Sequence, residues 1–259
     1  MHRKTMAVFI IVLEILWMCG CEKSFDEATN EVNNRKSIIF IGNSLTSIGC
    51  MPFHLEYMLG DDYTVTDACV DGSCLEEHYE WFSNDSYEFR NALETADIVV
   101  FQDYGGFTDT TEKSIRKIQA ICKDNAEFYF LMTEFCCSAD YIDQNCIQMI
   151  DSLGNISAIP SGIITDFVCN EYFDGEHFIM EDGYHPTILN GYFMALTFVK
   201  EVYETDNVND VWQITLGNYS SQIPGDTDAE KAAFMKDAQN AAFDKYDEVK
   251  IRYKGVLRL

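Results

Sequence analysis

Short apolar runs that alternate with segments of helical period constrain this chain more than any other feature. The runs fall at 37–41 (SIIFI), 63–69 (YTVTDAC), 97–101 (DIVVF), 127–132 (EFYFLM) and, more weakly, 155–159 (NISAI). Between them, helix-like segments occupy 51–60, 75–94 with an internal break, 111–123 and 140–152. Strands separated by helices build βαβ units, because a parallel neighbour can be started only after a crossover of about a dozen residues or more. Apolar runs without polar alternation fit strands that are covered on both faces. The expectation is an α/β domain with three layers, α/β/α, around a five-stranded parallel sheet.

The start of the chain reads differently. Residues 1–20 carry Arg3 and Lys4 ahead of the apolar stretch Met6 to Leu13 and end in Met-Cys-Gly before Cys21, the anatomy of an export signal. The layout resembles a bacterial lipoprotein signal, with Cys21 as the lipidated residue. The apolar stretch is short for a membrane span, which needs about 20 residues. Residues 21–36 are polar and suit a tether, so the domain is expected from residue 37 to 259, outside the cytoplasm and held to the membrane only by its lipid.

Charge narrows the partners. With 18 basic against 43 acidic residues the net charge is −25, which repels nucleic acid and anionic headgroups. Of the ten cysteines, eight remain once Cys19 and Cys21 are set aside. Eight thiols allow 105 pairings, so none is assigned. Without a C-x-x-C pair a structural zinc site is not expected, and most of these cysteines are read as small buried apolar residues.

In open parallel sheets, ligands sit at the carboxyl ends of the strands, where strand order reverses. Gly42-Asn43-Ser44 lies just past the first apolar run, so a serine is presented there. A serine nucleophile needs a base, and the base needs an acceptor to fix its tautomer. Asp182 and His185, three apart in EDGYHP, supply both. Pro186 is expected to start a helix whose apolar residues Leu189, Tyr192, Phe193, Leu196 and Val199 recur at helical spacing. Asp174-Gly175-Glu176-His177 repeats the Asp-Gly-x-His pattern, but proline and a long apolar helix follow only the second copy. His185 is therefore preferred, and His177, His54 and His78 are read as surface, crevice-wall or structural residues.

These blocks resemble the SGNH hydrolases of the GDSL esterase superfamily over most of residues 37–203. The resemblance implies a flavodoxin-like strand order and a serine ester hydrolase without a cofactor or a metal. It implies Ser44 as nucleophile, His185 as base and Asp182 as its orienting acid. The oxyanion would be held by the backbone amides of Ser44 and Gly72, the latter from VDGSCLEEH after the second run. The family's third block, Gly-x-Asn-Asp, is replaced by Gln102-Asp103-Tyr104-Gly105. Gln102 is the candidate for that block's side-chain donor and the Tyr104 hydroxyl an alternative.

The expected reaction removes a small acyl group, acetyl above all, from an acylated carbohydrate. Two alternatives stand beside it: a non-catalytic surface module that binds glycan in the same crevice, and an acylhydrolase for longer chains. Tyr79, Trp81, Phe82 and Tyr87 are either a sugar-stacking rim or the buried face of a helix pair. Residues 205–259 lie outside the resemblance. They include a helix whose Ala229, Ala233 and Phe234 share one face, and this helix is expected to pack back on the domain.

Overall fold

The computed structural model describes residues 35–104, 109–133, 144–209 and 211–252. Five strands form one sheet: β1 (Lys36–Ile41), β2 (Tyr63–Asp67), β3 (Ile98–Phe101), β4 (Glu127–Leu131) and β5 (Ser157–Ile159). All neighbours pair in parallel, in the order β2-β1-β3-β4-β5. β1 lies between β2 and β3, with Ile38 level with Val65 on one side and Ile98 on the other. The chain leaves β1 towards β2 and later returns to its opposite side, so strand order reverses between β1 and β3. That reversal opens the crevice at their carboxyl ends.

Burial follows the runs. Ile38 to Ile41 and Ile98 to Phe101 are all buried, as strands covered on both faces must be, whereas the edge strand β2 is only partly covered. The crossovers supply the outer layers: α1 (Ser44–Ser47), α2 (Met51–Leu59), α3 (Leu75–Phe82), α4 (Arg90–Thr95), α5 (Asp109–Gln119), α6 (Gln144–Leu153) and α7 (Ser161–Tyr172). After β5 the chain stays helical, through α7, α8 (Ile188–Tyr203), α9 (Trp212–Leu216) and α10 (Asp228–Arg252).

α8 is the innermost helix, buried continuously from Leu189 to Glu201 and packed against α2, α7 and α10. It begins two residues later than expected. Thr187, with extended backbone, accepts the Asn190 N–H on its side chain and so caps the helix, while Pro186 sits outside in a bridge with Ile179. A hydroxyl that satisfies one of the orphan N–H groups of the first turn outweighs proline's preference for that turn.

α7 was not anticipated. Its Ile163, Ile164, Thr165 and Val168 suit a strand by propensity, yet burial against α8 and α10 holds them in a helix. The expected face of α10 is also corrected. Ala229 and Ala233 are exposed and only Phe234 of the three packs on the core, against Tyr172 and Phe173; the buried face is made by Met235, Ala238, Ala242, Phe243, Tyr246 and Val249.

Among the described residues, Cys50, Cys69, Cys74, Cys122 and Cys169 are free thiols; of the described cysteines only Cys146 is fully buried and Cys74 is exposed. Cys21 and residues 1–20 lie outside the described residues. No described helix is long and apolar enough to cross a membrane.

Candidate active site

β1 ends at Ile41, and the next three residues turn the chain sharply into α1. Gly42 is required by close approach, since a Cβ there would lie 2.7 Å from Gln102 Oε1. Asn43 caps α1, its Oδ1 accepting the Leu45 N–H at 3.1 Å. Ser44 is then the first helical residue, 8% exposed, facing the crevice.

The other half arrives from the loop before α8. His185 Nε2 lies 3.0 Å from Ser44 Oγ, and His185 Nδ1 lies 2.6 Å from Asp182 Oδ2. A carboxylate can only accept, so Nδ1 carries the hydrogen and the Nε2 lone pair faces the serine hydroxyl. Asp182 is itself held: its Oδ1 accepts the N–H groups of Tyr184 at 2.9 Å and His185 at 3.0 Å. The hydrogen bond from the His185 ring, followed by those two backbone bonds, pulls the Asp182 carboxyl down to about 2. Gly183 makes this tight loop possible with φ +73.

The two halves meet without side chains between them. Gly49, in the turn after α1, touches Gly191 of α8; a Cβ on Gly191 would lie 1.8 Å from the Gly49 carbonyl oxygen. Pro186 closes the other side of Gly49.

Gly72 lines the crevice with φ +73 and open space around its Cα, so here backbone conformation rather than crowding calls for glycine. Among the described residues neither the Ser44 N–H nor the Gly72 N–H has a hydrogen-bond partner. Both are available to an incoming oxygen.

Gln102 does not join them. Its side chain is buried and turned away from the cleft. Oε1 accepts from the Asn43 N–H at 2.9 Å and from Thr46 Oγ1 at 3.3 Å, and its amide nitrogen lies 3.5 Å from Thr133 Oγ1. The oxygen that faces the serine turn is an acceptor, so Gln102 braces that turn and offers no donor to the oxyanion. The next residue, Asp103, is the one that reaches the cleft. Its carboxylate accepts from the Tyr104 N–H at 2.9 Å and from Thr111 Oγ1 at 3.3 Å, and burial raises its pKa.

The cleft has a volume of about 630 Å³, and its lining adds Asp71 and the rings of Tyr104 and Tyr184 to the residues above. Those two rings meet edge to face with centroids 4.9 Å apart. The aromatic residues after Gly72 are placed otherwise. Phe82 is buried, Trp81 and Phe82 each meet the His78 ring and Tyr87 meets both, Tyr79 and Tyr87 pack partly buried against the core, and none of the four lines the cleft. His177 stands outside the cleft beside Glu176. His54 is buried on α2, with Nε2 donating to the Ile188 carbonyl at 3.0 Å, and burial pushes it down to about 4. Tyr184 and Asp103 were not singled out in the sequence, although each adjoins a residue that was.

With this geometry, comparison with solved structures is informative. A DUF4886 family protein from Bacteroides uniformis ATCC 8492 superposes with a TM-score of 0.55 at 16% identity, over 85% of this chain and 96% of that one. That superposition shows a shared fold, the three-layer α/β/α domain on a five-stranded parallel sheet described above. A protein from Slackia heliotrinireducens described as an SGNH hydrolase matches at TM-score 0.47 and 18% identity, over 64% of this chain and 98% of its own. A lipase from a goat-rumen metagenome matches at 0.46 and 13%, over 65% and 98%. Neither a family model nor a curated protein matches the chain. At these identities the likeness speaks to the fold alone, and chemistry has to be argued from the cleft.

Proposed function

We propose that the protein is a serine ester hydrolase acting through Ser44, His185 and Asp182. The observation that carries this reading is the unbroken relay from Asp182 to His185 to Ser44, at 2.6 and 3.0 Å, opening on a cleft beside two unpartnered N–H groups. Binding alone requires no base. Ser44 Oγ would attack the ester carbonyl while His185 Nε2 takes its proton, and the tetrahedral oxyanion would accept from the Ser44 and Gly72 N–H groups. His185 then returns the proton to the departing alcohol, and water repeats the cycle on the acyl-enzyme. Asp182 holds the Nδ1–H tautomer throughout. Loss of one oxyanion donor costs on the order of 3 kcal/mol in such sites.

The substrate we infer is a small acyl ester, acetyl foremost, on a neutral carbohydrate. Among the described residues Ile48 is the only aliphatic side chain in the lining, which favours a short acyl group over a long one. The exposed Tyr104 ring, edge-on to Tyr184, offers a surface on which a sugar face can stack. Among the described residues no lysine or arginine lines the cleft, whereas Asp71 and Asp103 do, which disfavours anionic esters. An exported, lipid-anchored protein with Cys21 as its anchor remains our proposal for location, and such a protein would meet acylated glycans. The test compares acetyl with octanoyl esters of one aryl alcohol and assays acetate release from acetylated xylan and peptidoglycan. Acetyl should be preferred at least tenfold, and Asp71→Asn should improve kcat/KM for a succinyl ester several-fold over that for acetyl. Preference for octanoyl with no acetate released from either glycan would sink this substrate assignment.

A further inference from the structure

The two N–H groups assigned to the oxyanion come from different turns, one after β1 and one after β2, so their separation depends on whatever joins those turns. We propose that His78 is a positioning residue for the oxyanion hole, its Nε2–H locking the turn that carries Gly72 to the turn that carries Ser44. This inference rests on the esterase reading above.

Besides the backbone bond from the Val70 N–H to the Gly42 carbonyl at 3.0 Å, four side-chain links cross between the turns, one of them Ser73 Oγ at 3.2 Å from that carbonyl. Asn43 Nδ2 donates to the Ser73 carbonyl at 3.1 Å, and Ser47 Oγ donates to Asp71 Oδ1 at 3.1 Å. Behind them, His78 Nε2 lies 2.7 Å from the Gly42 carbonyl and 2.8 Å from Ser73 Oγ. The Gly42 oxygen can only accept, so Nε2 carries the hydrogen. The Ser73 hydroxyl points to the Val70 carbonyl at 2.7 Å and turns a lone pair to His78. One ring nitrogen therefore touches a residue two before the nucleophile and a residue one after Gly72. The side chain comes from the middle of α3, wholly buried, with the Trp81 ring edge-on at 5.0 Å and Phe82 stacked at 6.4 Å.

The ring also carries a cost. His78 Nδ1 is buried with no hydrogen-bond partner among the described residues, which an apolar ring of similar size would avoid. Burial lowers the His78 pKa, against the raising effect of its bond to Gly42, so the ring stays neutral and the brace keeps a single hydrogen-bonding pattern. A donor pair that must meet a developing oxyanion tolerates little displacement, since misplacement of about 1 Å can cost about 100-fold. Loosening the turns should thus be felt in the transition state and scarcely in ground-state binding.

The test uses full-length protein carrying His78→Met, His78→Gln or Ser73→Ala. For each, kcat and KM on an aryl acetate are measured with the inhibition constant of a methyl trifluoromethyl ketone, whose adduct with Ser44 bears an oxyanion. Thermal unfolding is followed in parallel. His78→Met should lower kcat about 30-fold with KM within twofold and weaken the ketone to the same degree. His78→Gln keeps a donor near the Nε2 position and should recover most of both. Ser73→Ala should cost about three- to tenfold in kcat. Unchanged kcat and ketone affinity in folded His78→Met, with only a lower unfolding midpoint, would overturn the proposal. If that variant does not fold, wild-type kcat in Ser73→Ala overturns it instead. Wild-type protein inert towards every ester would overturn the esterase reading itself.

Discussion

Two loops of this protein carry the same four-residue pattern, Asp-Gly-x-His, eight residues apart, and the chain uses them for different ends. In the first, Asp174, Gly175 and His177 all adopt left-handed backbone, with φ of 53, 78 and 71. The Gly175 N–H returns to the Cys169 carbonyl and the Glu176 N–H to Phe173, so this loop terminates α7. The Asp174 carboxylate makes no hydrogen bond to a described residue, and His177 is exposed and does not line the cleft. In the second loop only Gly183 is left-handed, and the Asp182 carboxylate folds over its own backbone, leaving Oδ2 for the histidine. The loops also hold each other: Thr187 Oγ1 donates to the His177 carbonyl, and the Met180 N–H donates to the His185 carbonyl. What separates them is context. One pattern closes a helix, and the other opens one through the Thr187 cap.

The comparison breaks most readily at the relay. Ser44→Ala and His185→Ala should each lower kcat/KM for an aryl acetate by about 10⁴-fold or more, and the double variant should be no worse than either, because the two act as a unit. Additive losses would separate their roles. Asp182→Ala should cost about 10²- to 10⁴-fold, and Asp182→Asn less, in the same assay. Its carboxyl lies below the unfolded value, at about 2, so its charge persists until the pH falls through that value.

A smaller effect lies beneath the second loop, where His54 anchors the Ile188 carbonyl at the start of α8. His54 titrates at about 4 when folded, against 6.5 when unfolded. Its contribution to stability is whole above pH 6.5 and is lost as the pH falls towards 4, at most about 3 kcal/mol. Denaturant unfolding at pH 7 and pH 4.5 should show this loss, and His54→Gln should reduce it. The smallest effect belongs to the first loop: His177→Ala should change kcat/KM less than twofold. An inactive His177→Ala beside an active His185→Ala would reverse the assignment of the loops.

Much of this was legible in the sequence, for reasons that particular residues make plain. Strands buried on both faces announce themselves as apolar runs, and a serine after the first run with Asp-x-x-His before the longest apolar helix brackets the crevice. The same double burial hides the phase of a strand. Because Ile98 to Phe101 are apolar without alternation, nothing in DIVVFQDY tells which of Gln102 and Asp103 turns to the cleft, and the choice is made by the register of β3 against β1. The aromatic cluster after Gly72 was ambiguous for a related reason, since rings at helical spacing serve a core and a rim equally well. Tyr184 was within reach, as the residue between Gly183 and His185 must lie at the mouth of the same loop.

The contact of Gly49 with Gly191 has a consequence for how the protein meets heat. Where two catalytic halves are joined through interlocking side chains, rotamer hopping can let them drift apart well before the fold gives way. Here backbone rests on backbone, so the serine turn and the helix behind the histidine loop can separate only by moving as bodies, and such movement dismantles the packing around α8. Warming should therefore leave the nucleophile and base at their working distance up to the transition, and activity and tertiary structure should vanish over the same few degrees.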